Sequence, residues 1–222
     1  MSQAISREPA EIQETLEERA YELRAAEGAT WTGTRLAIGI AIFAFASLAF
    51  AYFYLRSGNN LDLWEVSGRA HSAPTAYGAA VMAFMLAAVA LTVLAVRRLK
   101  AGRLIEWQTA GWASVLSGLL ALGLQIFELT NLPFYPGRDG YASCFIGWAT
   151  MNIVAIIGAV YWQETLVARF AVLKRLFAAE GTTFDSPLPA ARLFRANADG
   201  CAAFMIFMAV AEVFFWVLFY VI

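Results

Sequence analysis

Histidine is almost absent from this chain: 222 residues contain one, His71. A single imidazole cannot supply both axial ligands of a low-spin haem, and no His/Cys cluster is available for copper or zinc. His71 reads as a solvated loop residue. Cysteine is scarce too. Cys144 and Cys201 form no C-x-x-C motif and fall within hydrophobic runs, where they read as small apolar packing residues. No disulfide is expected between them, since one sits near the outer end of its helix and the other near the inner end of its own. Charge is the third shortage. Asp, Glu, Lys and Arg make up 15% of the chain, against ~25% in a soluble domain. The net charge is −1 and no basic patch is interleaved with aromatics, so nucleic acid has no footprint here. Nucleophile, phosphate-loop and dinucleotide motifs are missing as well. The first thirty residues lack the apolar stretch of a secretory signal peptide. The chain on its own does not read as an enzyme.

Apolar residues are what the chain has in excess: 60% of the total, with mean hydropathy +0.60. They come in runs, with the charges between them. A helix rises about 1.5 Å per residue, so crossing a hydrocarbon core about 30 Å thick takes roughly 20 mostly apolar residues. Five runs qualify, at about 35–55, 76–96, 107–129, 141–162 and 200–222. Lipid offers the backbone no hydrogen-bond partner, so such runs are helical. A β-barrel would need alternating polarity, which they lack. The fold class predicted is all-α, a polytopic bundle of five transmembrane helices. It divides into a cytoplasmic acidic segment, residues 1–33, and a transmembrane domain, residues 34–222.

Orientation follows from the basic residues. Arg7, Arg19, Arg24 and Arg35 precede the first span. Arg97, Arg98, Lys100 and Arg103 join the second to the third. Arg169, Lys174, Arg175, Arg192 and Arg195 lie between the fourth and fifth. The opposite side holds only Arg56, Arg69 and Arg138, three of sixteen. The N-terminus is therefore expected in the cytoplasm and the C-terminus outside. Before the first span, Ile12, Leu16, Ala20 and Leu23 share one stripe among many acids, which predicts a short acidic amphipathic helix. The 57–74 loop is polar, with Trp64 as an interfacial anchor. After the fourth span, the chain to about Glu180 continues that helix or lies at the interface. Gly181 stops it, and Pro187 and Pro189 shape the return.

Polar residues inside the spans carry the strongest signal. In the third span Gly111, Ser114, Gly118, Ala121, Gln125 and Glu128 are spaced 3, 4, 3, 4, 3, which places all six on one helical stripe. Small residues let another helix approach closely. The stripe reads first as a packing seam capped by an interhelical hydrogen bond, and second as a polar site for a lipid headgroup, a proton or a substrate. Asn152 is a cross-helix donor in the fourth span. Glu212 is the deepest carboxylate, which must be protonated, paired or hydrated, with Asn152 and Gln125 among its candidate partners. Asp199 reads as the N-cap of the fifth helix. The tryptophans and span-end tyrosines read as anchors or packing.

Four segments carry a resemblance. The first span ends Ala51-Tyr52-Phe53-Tyr54-Leu55-Arg56. The third ends Gly123-Leu124-Gln125-Ile126-Phe127-Glu128. The fourth begins Gly140-Tyr141-Ala142-Ser143-Cys144-Phe145 and runs to Ile156-Ile157-Gly158, and the fifth carries Glu212 ahead of Trp216. In order and spacing these are similar to subunit III of the haem–copper respiratory oxidases (cytochrome c and quinol oxidases), over about Thr34 to Ile222, in a diverged five-helix bacterial form. Departures are visible: Ala41 stands where the family has a Glu, the family's histidines fall near Asn152, Ala155 and Met208 or Ala209, and the acid before Trp216 is one residue out of register.

The resemblance implies a non-catalytic accessory subunit of a proton-translocating terminal oxidase in the bacterial inner membrane. Such a subunit packs beside catalytic subunit I, binds phospholipid, and supports assembly, stability and proton uptake. Haem and copper would lie in partner subunits and none in this chain. Gln125 and Glu128 carry over as the family-like polar pair; Asn152 and Glu212 are this chain's own variation. A nitric oxide reductase-type complex can carry a similar subunit. A small proton-coupled transporter and a purely structural scaffold are the rival classes, the transporter disfavoured by an odd span count and no visible inverted repeats.

Overall fold

The computed structural model describes residues 9–58, 64, 72–180 and 189–222. They form five α helices: α1 Pro9–Ser57, α2 Thr75–Lys100, α3 Leu104–Thr130, α4 Gly140–Glu180 and α5 Pro189–Trp216. A π-helical turn, Val217–Val221, ends the chain. Each of the five is long and apolar enough to cross a membrane. The protein is an all-α, multi-pass membrane helix bundle. His71, Gly181 and Pro187 lie outside the described residues, as does most of the loop between α1 and α2.

α2, α3, α4 and α5 close a ring, each packing on its neighbours, and α1 lies outside against α4 and α5. Burial reflects this: 11% of the apolar window of α1 is buried, against 39–44% for the other four. Leu36, Ile40, Phe43, Phe50 and Phe53 of α1 are exposed, the state expected of a helix that meets lipid along most of its girth.

Two helices overrun the hydrocarbon. At 49 residues, α1 is about 74 Å long. The short amphipathic helix expected before the first span is not separate; it runs on into the span without a break. Gly28 and Gly33 do not interrupt it, and Thr30, Thr32 and Thr34 turn their hydroxyls back on the carbonyls four residues earlier, at 2.9–3.1 Å. Likewise α4 continues to Glu180, which settles the sequence alternative in favour of one helix.

The α2–α3 hairpin shows how the chain turns between spans. Gly102 has φ 71°, open to glycine at little cost. Its N–H donates to Leu99 O at 3.0 Å, and Arg103 N donates to Arg98 O at 2.9 Å. This pair of bonds is a Schellman cap, satisfying carbonyls the helix end leaves open. Arg97, Arg98 and Lys100 in the same turn oppose the negative end of the helix dipole.

Lys100 then reaches Asp199 at 2.7 Å. Asp199 is not an N-cap. α5 begins ten residues earlier, at Pro189, so the carboxylate stands inside the helix and pairs across to α2. Glu27 of α1 meets Arg192 of α5 at 2.7 Å. The basic segments thus gather at one end of the bundle, called here the basic end. At the opposite end, Asp139 caps α4 by accepting from Ala142 N at 2.7 Å, and Arg138 pairs with it at 2.7 Å.

The small-residue stripe of α3 is wholly buried and faces two helices at once. A Cβ at Gly111 would strike Val167 of α4, and one at Gly118 would strike Val160. Toward α2, Ser114 Oγ bonds Thr92 Oγ1 at 2.7 Å and donates to Ala88 O at 2.8 Å, while Ser117 Oγ donates to Phe84 O at 2.8 Å. The packing seam read from the spacing is therefore present, with a second register of hydroxyl bonds to α2. Gly118→Leu is expected to lower stability by about 2–3 kcal/mol, the scale of an overpacked core. Gly123→Ala, with nothing within 4 Å, should change it by less than about 0.5 kcal/mol. Thermal unfolding in detergent compares the two; equal losses would mean that the seam is not close-packed.

Candidate functional site

The stripe ends in Gln125 and Glu128, and there α3 meets polar groups from α4 and α5. Gln125 Nε2 donates to Glu128 Oε2 at 2.9 Å. Asn152 Nδ2, from α4, donates to Gln125 Oε1 at 3.0 Å and to Glu212 Oε2 of α5 at 2.9 Å. Tyr220, in the π turn, donates its hydroxyl to Glu128 Oε1 at 2.7 Å. Five side chains on three helices form one chain of bonds, Tyr220–Glu128–Gln125–Asn152–Glu212.

Amide orientation follows from the chemistry. Glu128 needs donors, so Gln125 turns its NH2 toward it and leaves a carbonyl for Asn152. Asn152 must then present its NH2, whose two hydrogens serve Gln125 and Glu212. Gln125 and Glu128 are 0% exposed, Asn152 1% and Glu212 2%. Among the described residues no Lys, Arg or His bonds to either carboxylate; every donor they have is neutral. A carboxylate held this way lacks the counter-charge that usually offsets its burial.

The four polar residues picked out in sequence are thus brought together, and Gly111, Ser114, Gly118 and Ala121 build the seam below them. None of the four reaches the bundle surface. Glu212 meets Asn152 directly, and Gln125 only through it.

Tyr220 was not picked out, and the reason is helical phase. Eight residues separate it from Glu212, which on a regular α helix leaves an offset of about 80°. The π turn over Val217–Val221 advances less per residue and removes part of that offset. Its cost, an irregular carbonyl pattern, is met by Tyr141, whose hydroxyl donates to Phe219 O at 3.0 Å and accepts from Ala73 N at 3.2 Å. π turns of this kind recur at functional sites. Gly78 of α2 gave no sequence signal either. A Cβ there would fall on the phenol ring of Tyr220, so this glycine makes the seat in which the ring lies.

Above Tyr220 the bundle end holds a cavity of about 400 Å³, lined by Tyr52, Arg56, Trp64, Tyr141, Tyr220 and Ile222 among others. Arg56 donates to Tyr52 Oη at 2.9 Å and to Ile222 O at 3.1 Å, clasping α1 to the end of α5. Trp64 does not face lipid as an interfacial anchor would. It is 9% exposed, packs edge-on against Tyr52 at 4.8 Å, and accepts at its carbonyl from Tyr141 N at 3.1 Å.

The basic end has a smaller polar cluster. Cys201 Sγ donates to Gln163 Oε1 at 3.3 Å, while Gln163 Nε2 and Trp107 Nε1 are buried without a partner among the described residues. Both cysteines are free. The chain matches no protein-family model and no curated protein.

Proposed function

We propose that the chain is a non-catalytic accessory subunit, similar to subunit III, of a respiratory haem–copper oxidase complex. One observation carries the reading. The segments that bear the resemblance lie toward one end of the bundle, and residues from three of them meet on the π turn that follows α5 and on Ile222. Tyr52 packs on Phe219 at 5.3 Å, Arg56 holds Ile222, Tyr141 holds the Phe219 carbonyl, and Glu128 accepts from Tyr220. Under this reading the basic end faces the cytoplasm of a bacterial inner membrane, by the positive-inside argument. Catalytic subunit I and phospholipid cover the exposed apolar flanks, and haem and copper reside in the partner subunits.

The test is gentle purification from native membranes through an N-terminal tag, since Ile222 is engaged by Arg56. A reduced-minus-oxidised haem spectrum and mass spectrometry of the co-purifying chains follow. A haem-bearing catalytic subunit in stoichiometric amount is the expected result, and the haem type separates an oxidase from a nitric oxide reductase-type complex. A colourless protein with no partner would overturn the accessory reading and leave the proton-coupled transporter, which the two carboxylates without a counter-cation favour.

A further inference from the structure

Glu128 lies one side chain away from a polar cavity. Tyr220 stands between them: it is among the residues that line the cavity, and its hydroxyl bonds Glu128 Oε1 at 2.7 Å. A second feature points to water here. Trp148, 1% exposed, packs against the Tyr220 ring at 6.3 Å, yet its Nε1 has no partner. A buried N–H left open in this way is a place for an ordered water.

Toward the basic end the picture changes. One turn below Glu212 stands Met208 and one turn below that Met205, while Ile156 follows Asn152 on α4. All three are at most 2% exposed. On α4 and α5 the next buried polar pair beyond them, Gln163 with Cys201, is eleven residues along each helix from Asn152 and Glu212, or about 16 Å; on α3, Ser117 and Ser114 lie between but turn their hydroxyls to α2, on Phe84 O, Thr92 and Ala88 O. Among the described residues no side-chain hydrogen bond links those hydroxyls, or Gln163 and Cys201, to Gln125, Asn152 or Glu212.

We propose that Glu128 is a proton-binding site in contact with one face of the membrane only, the face opposite the basic end, with Tyr220 as its gate. The step balances simply. A hydronium in the cavity gives a proton to the Tyr220 oxygen and becomes water, as Tyr220 passes its own hydrogen to Glu128 Oε1. Tyr220 is neutral before and after, and Glu128 has become a carboxylic acid that donates back to the Tyr220 oxygen. The Gln125–Asn152 amide bridge does not carry the proton further; it makes Glu212 sense the charge on Glu128. The titratable and charged groups near this site are Tyr52 and Arg56 from α1, Tyr77 from α2, Tyr141 from α4 with the Arg138–Asp139 pair just before that helix, Glu212 from α5, and Tyr220 of the π turn. The site is independent of which complex the chain joins.

Infrared difference spectra of the full chain, inserted in one orientation in proteoliposomes, test this. The pH of the two compartments is changed separately. A protonated-carboxyl band is expected to appear on acidifying the cavity side and to ignore the basic-end compartment. Glu128→Gln should delete it, and Glu212→Gln should shift it without removing it. Tyr220→Phe should keep the band and slow its response about a hundredfold, the scale of a lost proton relay. Absence of any Glu128-dependent band, or a band that follows the basic-end compartment, overturns the proposal. A Tyr220→Phe response as fast as wild type removes the gate.

Discussion

Gly78→Ala is expected to unseat Tyr220 and to be among the most damaging single methyl additions in the protein. The new Cβ would overlap the carbon that carries the phenol oxygen and its two ring neighbours. That contact is with the rigid tip of an aromatic ring. The ring in turn is held by Phe145 at 5.7 Å and Trp148 at 6.3 Å. Tyr220 cannot swing aside without opening this cluster, so either α2 moves off α5 or the Tyr220–Glu128 bond breaks. Overpacking of this kind costs about 1–3 kcal/mol, and the lost bond to a buried carboxyl adds about 1 kcal/mol or more. Thermal unfolding of the purified protein should fall accordingly. Tyr220→Ala, combined with Gly78→Ala, should recover much of the steric part, because the ring is gone; the double-mutant cycle measures the coupling. A Gly78→Ala protein as stable as wild type would mean that the ring does not rest on this glycine.

Asn152→Leu should cost more still. The two side chains share one branched skeleton of four heavy atoms, so shape changes less than hydrogen bonding does. The damage lies in what is left behind. Gln125 Oε1 and Glu212 Oε2 both lose their donor in a region with no access to bulk water. An interhelical hydrogen bond within a membrane protein contributes only about 0.6 kcal/mol on average. Orphaning a buried polar group costs about 1–3 kcal/mol, more if it is charged. Two orphans predict a loss of about 3–5 kcal/mol. Replacing Gln125, Asn152 and Glu212 together by leucine should return most of that stability, as happens when a whole buried polar group is exchanged for apolar packing. Unfolding in detergent or lipid distinguishes the cases. If the triple variant were no more stable than Asn152→Leu, the cost would lie in the lost bonds rather than in the unpaired groups.

The sequence by itself determined the spans, because crossing lipid is a one-dimensional requirement: enough apolar residues in a row, with the backbone closed on itself. It determined the α3 stripe for a related reason, since a helix repeats every 3.6 residues and spacing alone fixes which residues share a face. It marked Asn152 and Glu212 by their depth. Tertiary structure decided the rest. It joined Asn152 to both Gln125 and Glu212, which no spacing within one helix encodes. It turned Tyr220 toward Glu128 through a π turn whose phase a regular helix does not predict, and placed Gly78 beneath the ring from a helix 142 positions away in the chain. It moved Asp199 from a helix start to a cross-helix ion pair, because α5 begins as soon as Pro189 allows it, well before the apolar run. Properties local to one helix are written in its own residues; the pairing of polar groups depends on how five helices are packed, and that is settled only when they meet.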